Sequence, residues 1–110
     1  MKKIVFILLV VSGLFANMNI CGYGVVTKVL KDDNVGLKHE KFIIQSRGKS
    51  ILVAHNISLS ERIPLHKGDK ITYCGEYIKN DKGGILHWTH KSNNRKHKSG
   101  YIMFNRKKYD

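Results

Sequence analysis

The stretch that decides the fold is Lys41-Phe42-Ile43-Ile44-Gln45-Ser46-Arg47-Gly48-Lys49-Ser50-Ile51-Leu52-Val53-Ala54-His55. Two short runs rich in β-branched and aromatic residues flank Arg47-Gly48-Lys49. Glycine takes the unusual backbone angles of a tight turn without steric cost, and the connector is short enough for a hairpin. Lys41–Ser46 and Ser50–His55 are therefore expected to be adjacent antiparallel strands.

The same grammar extends in both directions. Gly24–Leu30 reads as a strand, closed by the turn signals of Lys31-Asp32-Asp33-Asn34-Val35-Gly36. Downstream, Lys70–Tyr77, Ile85–Thr89 and Tyr101–Asn105 read as strands. They are separated from their neighbours by Lys67-Gly68-Asp69 and Asn80-Asp81-Lys82-Gly83-Gly84, again turn chemistry. One segment differs. Ser58-Leu59-Ser60-Glu61 has capping-box spacing, and Pro64 would stop a helix soon after it starts. This predicts one helix of one to two turns after the third strand.

The predicted order is three strands, a short helix, two strands and a final strand. Strands this short must close or pack to bury one face. The expected fold is all-β with one short helix: a small OB-like Greek-key barrel of five to six strands. A small open sheet or sandwich is the alternative. With 110 residues, no repeat and no linker, one domain over residues 22–110 is the simplest reading.

The segment before it reads as an address. Lys2 and Lys3 precede an apolar run from Ile4 to Ala16, the pattern of a secretory signal peptide over residues 1–16. The run is too short for a stable transmembrane span. The expected location is therefore outside the cytoplasm, periplasmic or secreted. In an oxidising compartment Cys21 and Cys74 become candidates for a disulfide; two buried thiols that never meet are the alternative. Two cysteines exclude a disulfide-dense scaffold and a four-cysteine zinc site.

Charge points to a partner class. Lys plus Arg number 20 against 8 Asp plus Glu, a formal net charge of +12. No acid lies between Asp81 and Asp110, where Lys91, Arg95, Lys96, Lys98, Arg106 and Lys107 are interleaved with aromatics, Trp88 among them. Cations beside aromatic rings suit single-stranded nucleic acid, the cations meeting phosphates and the rings stacking bases. Another polyanion, or solubility alone, would use the same charge.

The chain also holds 6 histidines, a high number for its length. His55, His87 and His90, with Asn56 to orient one of them, are candidate catalytic residues for a metal-free hydrolase such as a nuclease. His87, His90 and His97 are candidate ligands for a divalent metal such as zinc. On a regular strand His87 and His90 point to opposite faces, so sharing a metal requires the strand to end or bulge at Trp88 or Thr89. Asp32, Asp33 and Glu76 are the acids the fold could bring near. His39 suits a turn, and a purely structural role for the set is the third reading. Three function classes stay open: a polyanion-binding module, a histidine-dependent hydrolase and an interaction module of the cell envelope.

Several fragments together resemble a known family. They are Asp32-Asp33-Asn34-x-Gly36-x-x-His39-x-x-Phe42, Ala54-His55-Asn56-Ile57, Gly68-Asp69, Gly75-Glu76-Tyr77, Gly83-Gly84-x-x-His87-Trp88-Thr89-His90 and His97-x-x-Gly100-Tyr101-Ile102. The pattern is similar to the small exported bacterial and phage family known as domain of unknown function 3465. The resemblance covers residues 22 to 109 and implies a secreted small domain with no assigned mechanism. The family often carries a further histidine and an Asp-Pro after the His-Trp-Thr-His piece, where this chain has Lys91-Ser92-Asn93.

Overall fold

The computed structural model describes residues 17–110, so the leader expected over 1–16 lies outside the described residues. Seven strands form: β1 (Asn17–Val29), β2 (His39–Ser46), β3 (Lys49–Asn56), β4 (Lys70–Ile78), β5 (Ile85–His87), β6 (Tyr101–Phe104) and β7 (Lys107–Tyr109). The hairpin read at Arg47-Gly48 joins β2 to β3, with Ser46 opposite Lys49. Both turn residues have positive φ, 56° and 72°. Such a two-residue turn matches the right-handed twist of the strands it joins.

Five strands close into a barrel in the order β1-β2-β3-β5-β4, with β4 returning to β1. All neighbours are antiparallel except β3 and β5. This is the OB-like Greek-key barrel. β1 serves two neighbours because an irregularity between Val26 and Lys28 bends it. Its first part, Asn17–Val25, pairs with β4, and Val25–Val29 pairs with β2. β6 continues along the edge of β4 beside Thr72–Cys74, and β7 folds back on β6.

The inward residues alternate. Phe42 and Ile44 from β2, Ile51 and Val53 from β3, and Leu86 from β5 are fully buried. Tyr73 of β4 and Ile102 of β6 join the same core. Each buried aliphatic or aromatic side chain contributes about 1.5–3 kcal/mol relative to exposure. Cys21 and Cys74 face each other across β1 and β4 and form a disulfide. With a sequence separation of 53, the closed loop stabilises by about 4 kcal/mol in the chain-entropy model.

Three sequence expectations are corrected. First, there is no helix among the described residues. Asn56 Oδ1, not Ser58, accepts from the N–H groups of Ser58 and Leu59, making a turn. Ser58 Oγ accepts from Lys38 N instead. Pro64 leaves too little chain for a helix, and Ile63 and Leu65 go extended into the barrel end, both buried. Buried Glu40 holds them there by accepting from Ile63 N at 2.9 Å. Second, β1 begins at Asn17 rather than Gly24. Met18, Cys21 and Tyr23 remain exposed, so backbone pairing to β4, not hydrophobic alternation, forms this part. Third, β5 stops at His87, two residues short of Thr89, because Trp88 has φ 54°.

Candidate functional site

The alternation that fills the barrel also sets its outer face. His39, Lys41 and Ile43 of β2, Leu52 and Ala54 of β3, and Ile85 and His87 of β5 are half-buried and point outward. Leu52 lies beside Ile85, so these residues form one surface. At one end is a cleft of about 390 Å³ floored by Leu30, Ile43, Leu52 and Ile85, with Lys82 at its edge. Next along β3 is a smaller cavity of about 170 Å³ lined by His39, Ala54, His87, Trp88 and His90. Trp88 and His90 also line an open cleft of about 840 Å³ with Lys91, Arg95 and Lys96. Among the described residues, Asp110 is the single acid on that cleft.

The left-handed turn at Trp88 explains how apolar and basic parts meet. It sends Trp88 outward and Thr89 inward, where Thr89 is fully buried. The chain then loops through 91–99 and returns at Gly100, whose N–H donates to His90 O at 2.8 Å. A Cβ at Gly100 would run into the carbonyl oxygens of Trp88 and Cys74, so only glycine fits this crossing. The two ends of the basic loop are thereby tied to each other, with Gly100 set against Cys74 of β4.

The histidines divide by face. His55 is 0% exposed and points into the barrel. Its Nδ1 lies 2.8 Å from Thr89 Oγ1 and its Nε2 3.2 Å from Glu61 O. Burial pushes its pKa down to about 4. It is a neutral strut with both nitrogens occupied, not an accessible base. Asn56, expected to orient a base, is spent on its own turn. His39 and His90 each direct Nδ1 at a backbone carbonyl, those of Leu37 and Lys91. His66 is exposed on the β4 approach, near Asp69.

The remaining two histidines converge on one acid. Glu76 is the cross-strand partner of His87, and such pairs meet on a sheet face. Glu76 Oε1 lies 3.6 Å from His87 Nε2, while Oε2 accepts from His97 Nδ1. Trp88 stacks on the His97 ring, centroids 3.7 Å apart at 7°, and lies 5.0 Å from the His90 ring. Burial, the largest influence, lowers the pKa of His87, against the opposing pull of Glu76. Of the three acids the sequence offered, Glu76 is the one that arrives. Asp32 pairs with Arg62, and Asp33 closes its own turn.

The zinc set expected at His87, His90 and His97 is not assembled as it stands: among the described residues no group of three His, Cys, Asp or Glu side chains is placed to hold a metal. Four of the residues expected to meet a polyanion, Trp88, Lys91, Arg95 and Lys96, line one cleft. Lys98 is exposed on the same loop. Arg106 and Lys107 sit apart, at the β6–β7 turn, where Lys107 Nζ is 2.5 Å from Glu61.

A family model described as protein of unknown function (DUF3465) matches residues 8–110. No curated protein and no solved structure matches the chain.

Proposed function

The chain belongs to the DUF3465 family of proteins of unknown function, a membership that carries no activity, and from the geometry we propose that it is a small module binding single-stranded nucleic acid. The observation that carries this reading is the union of Trp88 with Lys91, Arg95 and Lys96 on one open cleft. An indole offers a base a stacking surface and the cations meet phosphates, a combination suited to single strands. The outer face of β2, β3 and β5 continues it toward the apolar cleft at Ile43, Leu52 and Ile85. An OB barrel offers its outer sheet face to oligonucleotides in this manner. The disulfide between Cys21 and Cys74 supports a workplace outside the reducing cytoplasm.

The test is a salt titration of binding to labelled single-stranded DNA and RNA. Three to four phosphate contacts give a log–log slope of roughly −2 to −3. Charge reversal of Lys91, Arg95 and Lys96 together abolishes binding at moderate salt while Arg106→Glu changes it little. Salt-independent affinity, or equal losses from both changes, contradicts the reading.

A further inference from the structure

We infer that His97 and Glu76 form a metal-independent RNA-cleaving centre at the edge of this cleft, an inference that rests on the nucleic-acid reading above. The geometry is that of a held base. Glu76 is 7% exposed at its side chain and accepts from Nδ1 of His97, which is 27% exposed. An imidazole whose Nδ1–H is engaged presents Nε2 as the proton acceptor. Trp88 stacked flat against the ring and the Glu76 carboxylate fix its orientation from two sides. A lysine or arginine at position 97 would tie the loop to Glu76 equally well; imidazole adds a basic nitrogen at the exposed edge.

The substrate class follows from the surroundings. Lys96 lines the large basic cleft, and also the cavity of about 150 Å³ that His97 and Glu76 share with Asn19. A phosphate held by Lys96 therefore lies beside His97. No other nucleophile is needed if the strand supplies its own, which is the 2′-hydroxyl of RNA. His97 Nε2 takes the 2′-hydroxyl proton as the 2′-oxygen bonds to phosphorus. The bond from phosphorus to the 5′-oxygen breaks with its electron pair on that oxygen, which takes a proton from water. The imidazolium then returns its proton to the hydroxide so formed. The products are a 2′,3′-cyclic phosphate and a 5′-hydroxyl. DNA, lacking the nucleophile, is bound and left whole. His97 is the catalytic residue and Glu76 a positioning residue.

The experiment uses the full untagged chain, a labelled DNA oligonucleotide carrying one ribonucleotide, and its all-DNA counterpart, each with chelator and, in a parallel reaction, with magnesium. The expected result is a cut at the ribonucleotide alone, leaving a cyclic phosphate, with the all-DNA strand shifted but intact. His97→Gln keeps an N–H toward Glu76 and so keeps the loop tied. It is expected to cut at least about 100-fold slower, with all-DNA affinity within about twofold. Glu76→Gln loses about tenfold or more in turnover, again without loss of DNA affinity; a merely structural Glu76 would lose both together. Tight binding without a cut overturns the inference and leaves the binding module standing. So does cutting that needs metal, that attacks the all-DNA strand, or that survives His97→Gln. Failure of both probes to bind overturns the binding reading and the inference with it.

Discussion

The barrel contains two histidine–glutamate cross-strand pairs, and they have opposite fates. Glu40 and His55 face each other between β2 and β3, on the inner face. Glu76 and His87 face each other between β4 and β5, on the outer face. Inside, both side chains are consumed by the 61–63 segment and Thr89: Glu40 receives Ile63 N, and His55 meets Glu61 O and Thr89 Oγ1. Outside, Glu76 meets the side chains of His87 and His97, both of them partly open to solvent. The same residue types thus give a strut on one face and a candidate reactive group on the other. What decides between them is strand parity and which loop covers the face.

Replacing one histidine held by each glutamate-bearing face, His55 inside and the loop residue His97 outside, sharpens the contrast. The largest stability effect belongs to the inner pair. His55→Ala leaves a cavity and strips the partner from buried Thr89, and is expected to cost about 3–4 kcal/mol in denaturant unfolding. His97→Gln on the outer face is expected to cost less than about 1 kcal/mol, in line with a half-exposed contact. Equal losses from the two would erase the distinction.

The pH response comes next. The pKa of His55 is about 4 in the fold and about 6.5 in an unfolded chain. The unfolded chain therefore binds the extra proton in that interval. The contribution is complete above about pH 6.5 and is lost as pH falls toward about 4, by up to about 3 kcal/mol. Burial raises the Glu40 carboxyl, which acts in the opposite sense, its contribution fading as pH rises. Thermal melts across this range should show the acid loss, and His55→Gln should flatten it. A slope unchanged in that variant assigns the effect elsewhere.

Smaller effects test the cleft itself. Trp88→Ala is expected to weaken single-strand binding by about 1–3 kcal/mol, read by anisotropy, with the melting point little changed. The smallest belongs to Lys107, whose pair with Glu61 lies between side chains 53% and 65% exposed. Lys107→Ala should leave the melting point essentially unchanged, because solvent screens an exposed pair, and leave oligonucleotide affinity intact, because it lies off the cleft.

This contrast also marks what a reader of the chain can and cannot see. The Arg47-Gly48 hairpin and the glycine-rich breaks declare themselves locally, so the barrel is legible. The helix expected at Ser58 is refused partly by neighbours, Asn56 Oδ1 accepting from the N–H groups of Ser58 and Leu59, and partly by a residue far away in sequence. Glu40, 23 residues away from Ile63, claims the backbone that a helix would have used. Histidine number flags a site, but the division of labour among them depends on parity. His55 and His87 lie on β3 and β5, and the sequence does not say which of them faces in until both registers are known. Glu76 was visible as an acid, and its meeting with His97 depends on the Trp88 reversal, where a bulky residue adopts φ 54° against its intrinsic preference. β7 carries no legible pattern, because Lys107-Lys108-Tyr109 buries only its tyrosine.

The double service of β1 has a consequence in time. Asn17–Val25 pairs with Lys70–Ile78, a partner made some fifty residues later. As the chain leaves the ribosome, N-terminus first, this strand waits as an open edge with the Cys21 thiol still unpaired, while β2 and β3 can already form their hairpin. Closure of the barrel is thus a late event, dominated by long-range pairing of the kind that slows folding. During that wait the vulnerable species is a half-made sheet, open to capture by a second chain through its edge or its sulfur. A helper that shields the edge or delivers the oxidant in time would raise the yield of folded protein without touching the finished structure.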